Sequence, residues 1–137
     1  MAVALDSDVI VGFLDEGDAL HAAADMAIRD LAAKERIVAS VITYAEVLTG
    51  ARIGHHAVKD VAGFFANLIS RLAPVDVEIA DRASELRAKT RALRMPDALI
   101  VATAELDPEV NLLLTGDGDI ATLRGLRCDV QLLSASG

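Results

Sequence analysis

Aromatic side chains are scarce in this 137-residue chain, which has no Trp, three Phe and the single Tyr44. That leaves no platform on which single-stranded bases could stack. Cysteine occurs once, at Cys128, which excludes a disulfide framework and any cysteine-rich zinc site. No apolar run approaches the ~18 residues of a membrane span. The first residues carry no basic segment, and Asp6 and Asp8 interrupt them before an apolar signal could form. A cytoplasmic protein with no membrane partner is therefore expected. Basic residues are also in deficit, 13 Lys and Arg against 21 Asp and Glu, for a net charge of −8. This counts against a module that grips phosphates by bulk positive charge. No stretch rich in Pro, Gly or Ser marks a linker, and no period repeats.

What is present is apolar substance, 53% of residues, with 25% charged, a balance that excludes intrinsic disorder. The length predicts one domain over residues 1–137. Short apolar runs alternate with helical periodicity. Strands are expected at Val3–Leu5, Arg36–Ala39, Val75–Val77, Asn111–Leu114 and Val130–Leu133. Helices are expected at 9–14, 19–34, from Ser40 as N-cap towards Ile53 with a stop at Gly54, over 55–72, 79–93, from Pro96 to about Leu106, and near 120–123. Such alternation implies a parallel sheet covered on both faces. Ligands of these sheets sit beyond the carboxyl ends of the strands.

Acids stand at those positions. Asp6 follows the first strand, and Asp117 follows the fourth after Thr115 and Gly116. Glu46 lies in the helix after the second strand, and Asp97 opens the helix that begins at Pro96. Singly, each also reads as a helix cap or a first-turn acid. Asp15, Glu16 and Asp18, like Glu105, Asp107 and Glu109, read as solvated loops. Several carboxylates converging at one sheet edge are costly unless a cation fills the gap. Oxygen-only donors favour Mg2+ or Mn2+ over zinc.

Four segments, taken in order, resemble the PIN domain family. They are Leu5 to Ile10 with its Asp-Ser-Asp, Thr43 to Glu46, Pro96 to Ala104 (Pro-Asp-Ala-Leu-Ile-Val-Ala-Thr-Ala), and Leu114 to Asp119. The likeness is nearest to the small VapC-type toxins of bacterial toxin–antitoxin pairs. It implies an α/β/α three-layer sandwich with a central parallel sheet. It also implies an Mg2+- or Mn2+-dependent endoribonuclease in which Asp6, Glu46, Asp97 and Asp117 are the catalytic, metal-holding acids. Asp119 would be an outer ligand, and Thr43 and Thr115 supporting residues. Thr43 also reads as a helix-start residue. The implied partners are an RNA substrate, a small antitoxin laid into a groove as an amphipathic helix, and a second copy forming a homodimer. One departure is Ile120, where these toxins often carry Phe; the change is apolar for apolar.

Charge is unevenly spread. Residues 82–94 carry Arg82, Arg87, Lys89, Arg91 and Arg94 against Glu85 alone. Local field, rather than net charge, draws in a phosphate backbone, so Arg91 and Arg94, nearest Asp97, are the candidate RNA contacts. A solvated helix face is the plainer alternative. Arg52, His55, His56 and Lys59 make a weaker patch, its histidines read as helix-surface residues. Three other functions fit parts of the pattern. A haloacid-dehalogenase-like phosphatase would use Asp6, Asp8 and the Asp117–Asp119 loop, but needs a lysine at the sheet edge. A signal-receiver domain needs a lysine after the last strand, and none follows Lys89. A PIN-like fold kept only for binding would not need the acids intact.

Overall fold

The computed structural model describes residues 1–135; Ser136 and Gly137, the end of the expected domain, lie outside the described residues. Five parallel strands form one sheet: β1 (Ala2–Leu5), β2 (Arg36–Ser40), β3 (Arg71–Ala73), β4 (Val110–Thr115) and β5 (Asp129–Leu132). Their order is β3-β2-β1-β4-β5. Seven helices connect them among the described residues: α1 (Ser7–Leu14), α2 (His21–Ala32), α3 (Val41–Arg52), α4 (Val58–Asn67), α5 (Val77–Lys89), α6 (Met95–Leu106) and α7 (Gly118–Ala121).

The two-residue period of the strands divides the core. Ala2 and Ala4 of β1, Val38 of β2 and Leu113 of β4 join Ala83 and Leu86 of α5, Ala98 and Val101 of α6, and Ile120 of α7. Val3, Leu5, Ile37 and Leu114 point the other way, onto Val9 and Ile10 of α1, Ala24 and Ile28 of α2, Val47 of α3, and Val61 and Phe64 of α4. Alternating strand residues thus serve two helical layers, and the result is the α/β/α sandwich that the resemblance implied.

The chain moves outward from β1 through β2 to β3, then returns to β4 on the opposite side of β1. The carboxyl ends of β1 and β4 therefore meet at the point where strand order reverses, the usual crevice for ligands. Asp6 N donates to Leu114 O at 2.9 Å, so the two strand ends are locked in register where the acids begin.

The structure corrects the reading of residues 55–77. Helical spacing continues to Leu72 in the sequence, but α4 ends at Asn67. Ser70 N donates to Ile37 O at 2.7 Å, and Ile37 N donates to Ser70 Oγ at 3.1 Å. These bonds start β3 beside β2, with Leu72 opposite Ala39. The expected strand at Val75–Val77 does not form, because Asp76 is the N-cap of α5 and its side chain accepts from Ile79 N at 2.9 Å. The next helix also stops earlier than expected, at Lys89, leaving a turn before α6.

Three acids assigned to solvated loops are framework residues. Glu105 is buried in α6 and accepts from Arg82 Nε at 2.6 Å, Arg82 Nη2 at 3.0 Å and Arg127 N at 3.1 Å. Arg71 forks onto Asp107 at 2.8 and 3.1 Å and reaches Glu109 at 2.8 Å, and Arg36 also pairs with Glu109. The Arg82–Glu105 pair ties α5 to α6, the helix that carries Asp97. Breaking it strands a buried carboxylate, so Arg82→Ala should cost about 3 kcal/mol in urea unfolding. Glu85→Ala, which removes an exposed partner of Arg82 at 3.6 Å, should cost less than ~1 kcal/mol. Equal losses would contradict this account of Glu105.

Candidate metal centre

Each acid at the switch point is placed by a helix start. Asp6 is the N-cap of α1 and its Oδ1 accepts from Ser7 N at 2.7 Å. Asp8 follows in the first turn of α1. Asp97 lies in the first turn of α6, after a proline that suits that position. Asp117 is the N-cap of α7, accepting from Asp119 N at 2.8 Å. Unpaired amides at helix starts favour negative charge, which is why this sequence folds with its acids turned to one corner.

Hydrogen bonds connect them. Thr115 Oγ1 donates to Asp6 Oδ2 at 2.7 Å and accepts from Asp117 N at 3.0 Å. Thr115 is fully buried, so its hydroxyl relays between two strand ends. Ser7 Oγ donates to Glu46 Oε1 at 2.9 Å, which brings Glu46 of α3 to the start of α1. Thr43 stands in the first turn of α3 but is not its cap; Ser40 caps α3 by accepting from Ile42 N at 3.0 Å. Thr43 is buried, with its Oγ1 3.5 Å from Leu5 O, and ties α3 to the end of β1.

Electrostatics show which acids meet. Burial is the largest influence on Asp6, pushing its carboxyl from 3.8 up to about 7, and the Asp8 and Asp97 charges add to it. Asp8 is raised by burial, then by Asp117 and Asp97. Asp97 is raised by burial and by Asp117 and Asp119, against the pull of Arg94. Asp6, Asp8, Asp97, Asp117 and Asp119 therefore share one field. Glu46 enters instead through Ser7 and lines a cleft of about 290 Å³ with Asp8, Asp18 and Leu20.

The basic stretch divides. Arg82 is committed to Glu105. Arg87 Nη1 donates to Arg91 O at 2.8 Å and so braces the turn between α5 and α6. Arg91 is exposed. Arg94 is also exposed, with Nε 3.5 Å from Asp97 Oδ2. His56 is half-buried rather than on a helix face, its Nε2 lying 2.9 Å from Val47 O.

Sequence reasoning missed Asp8, Ser7 and Asp18. Asp8 was visible as the second acid of Asp6-Ser7-Asp8, yet it had a role only in the phosphatase alternative. Asp18 was read as solvated loop, and the fold turns it towards Asp8 and Glu46.

Residues 3–126 match the PIN domain. The chain belongs to the PIN domain family. Solved structures with this PIN domain fold include VapBC2 of Rickettsia felis bound to a promoter DNA fragment, with a TM-score of 0.75 at 15% identity over 96% of this chain and 98% of the other. A toxin–antitoxin complex of Klebsiella pneumoniae superposes with a TM-score of 0.72 at 25% identity, over 94% and 95%. VapC20 of Mycobacterium tuberculosis, a toxin that cleaves the sarcin–ricin loop, gives 0.71 at 19% identity, over 93% and 98%. No curated protein matches the chain significantly.

The Asp6 shift has a consequence for stability. Between about pH 4 and pH 7 the folded PIN domain holds a proton that the unfolded chain has lost. Asp6 is therefore most favourable to folding below about pH 4, and that contribution is lost as pH rises through about 7. In EDTA, the melting temperature should fall from pH 5 to pH 8, and Asp6→Asn should flatten the fall. A wild-type melting temperature that rises over this interval would contradict the assignment.

Proposed function

We propose that this PIN domain is a divalent-metal-dependent endoribonuclease and the toxin of a toxin–antitoxin pair. The observation that carries the reading is the gathering of acids at the sheet's switch point, where burial and then neighbouring carboxylates raise Asp6, Asp8 and Asp97. VapC toxins of the family are toxin ribonucleases, and PIN domain nucleases generally use a divalent metal.

The donor set fits Mg2+ or Mn2+. It offers only oxygen, from Asp6, Glu46, Asp97 and Asp117 with Asp119 further out, and a doubly charged ion would offset the burial and the carboxylate repulsion that together raise Asp6 and Asp97. Among the described residues no group of three or more His, Cys, Asp or Glu side chains stands ready to hold a metal ion. A hard cation that keeps several waters would bind here through fewer carboxylates. When bound, the cation supplies charge neutralisation at phosphate oxygens and a more acidic water for in-line attack.

The chain's residues prepare that reaction. Thr115 fixes Asp6 Oδ2, and Ser7 fixes Glu46 Oε1, so the carboxylates are held in place before substrate arrives. Arg94, beside Asp97 and open to solvent, is placed to take a backbone phosphate, with Arg91 further along the same approach. Water adds to phosphorus, the 3′ oxygen leaves, and a 5′-phosphate results. Recognition runs through phosphate and shape, because the few aromatics pack on one another: Phe13 on Phe64, and Tyr44 and Phe64 on Phe65. The antitoxin of complexes such as that of Klebsiella pneumoniae supports a small protein partner here, and a cytoplasmic homodimer completes the reading. The family match removes the basis for the phosphatase and receiver alternatives.

Purified protein should cleave cellular RNA in Mn2+ or Mg2+ and stop in EDTA. Asp6→Asn and Asp97→Asn should each lower cleavage by at least about 100-fold, the upper end of what even outer-shell losses cost. Reversing the charge of Arg91 and Arg94 should weaken cleavage while leaving cation binding nearly unchanged. Induced expression should arrest growth, and the Asp97→Asn form should not. Cleavage that persists in EDTA would overturn the metal reading. Binding of RNA without cleavage would point to a fold retained for binding.

A further inference from the structure

Asp8 belongs to α1 but holds the loop that leaves β4. Both of its carboxylate oxygens face the Gly116 amide, at 3.0 and 3.1 Å. The contact closes a separation of 108 residues and lands on the residue directly before Asp117. Space is the reason for glycine here. A Cβ at position 116 would stand 2.9 Å from Asp8 Oδ2 and 2.5 Å from Leu20 Cδ1. Leu20 is itself wedged against α1, 3.0 Å from where a Cβ on Gly12 would lie. The Gly116 backbone is therefore gripped between a carboxylate and an apolar side chain. Its neighbours are tied as well, Thr115 to Asp6 and the Asp117 amide to Thr115. The end of β4 and the residue after it thus register against Asp6 and Asp8 at the start of α1, and Asp117 follows through Thr115.

We propose that Asp8 is a positioning residue: by accepting the Gly116 amide it fixes Asp117 against Asp6, and it acts through its acceptor oxygen rather than its charge. The consequence for metal binding rests on the nuclease reading above; the contact and its effect on Asp117 do not. The geometry favours the acceptor role, since both Asp8 oxygens are turned to the Gly116 amide. An asparagine would accept the same amide through its single side-chain oxygen and add no repulsion.

The test compares wild type, Asp8→Asn and Asp8→Ala by amide hydrogen exchange at Gly116 and Asp117 and by Mn2+ titration without RNA. Asp8→Ala should speed exchange at both amides by about tenfold, the weight of one hydrogen bond, and weaken Mn2+ binding by about as much. Asp8→Asn should stay within about threefold of wild type on both readings, a difference smaller than one hydrogen bond. If Asp8→Ala does not fold, Asp8→Ser, whose hydroxyl is too short to reach Gly116, takes its place with the same expectation. Exchange at Gly116 and Asp117 that is unchanged in Asp8→Ala would overturn the proposal. So would Asp8→Asn losing Mn2+ affinity as fully as Asp8→Ala, since charge would then be what Asp8 supplies. If wild type binds no Mn2+, the metal reading fails, and amide exchange alone decides the role of Asp8.

Discussion

Like charges held together in a poorly hydrated corner are the constraint on which this molecule turns. Carboxylates separated widely in sequence repel one another once the fold gathers them, and partial burial removes the water that would screen them. The chain offsets that cost locally. Asp6, Asp97 and Asp117 each stand at a helix start, where unpaired amides favour negative charge, and the Thr115 hydroxyl donates to Asp6 while accepting from the Asp117 amide. The offset is incomplete, as the upward shift of Asp6 records.

The same residue types have the opposite role elsewhere. Glu105, Asp107 and Glu109 are satisfied by Arg82, Arg71 and Arg36, and they fasten α5, α6 and the strand ends into a frame. Glu105, Asp107 and Glu109 hold the scaffold through their arginines, whereas Asp97 faces a largely exposed Arg94 at 3.5 Å. The net charge of −8 therefore describes neither region well. At the place where RNA would approach, the relevant field is that of a carboxylate cluster with a bound cation and the exposed guanidinium of Arg94.

Much of this was legible in the residues. Strand alternation and the helix caps at Ser40 and Asp6 were readable, because both are local signals. Pairings distant in sequence were not. β3 is three residues long and gains its register from β2, more than thirty residues earlier, so the helical spacing before it and the Val75-Asp76-Val77 alternation after it were misleading. The partner of Glu105 lies 23 residues away, and a single sequence gives no sign that it is buried. Asp8 showed its proximity to Asp6 but not that β4 returns to meet it. The candidate acids were found through strand ends and family resemblance, while the groups that hold them, Ser7, Asp8 and Gly116, emerge only from three-dimensional packing.

The central claim is that the buried Asp6 carboxyl belongs to a cation site, so that a divalent cation displaces the proton its raised pKa favours. Calorimetric titration of Mn2+ at pH 7, repeated in buffers of different ionisation enthalpy, measures the protons released per ion bound. With Asp6 raised to about 7, wild type should release a substantial fraction of a proton per ion, and Asp6→Asn distinctly less. Binding heat that does not depend on the buffer, or equal proton release by both proteins, would contradict the account.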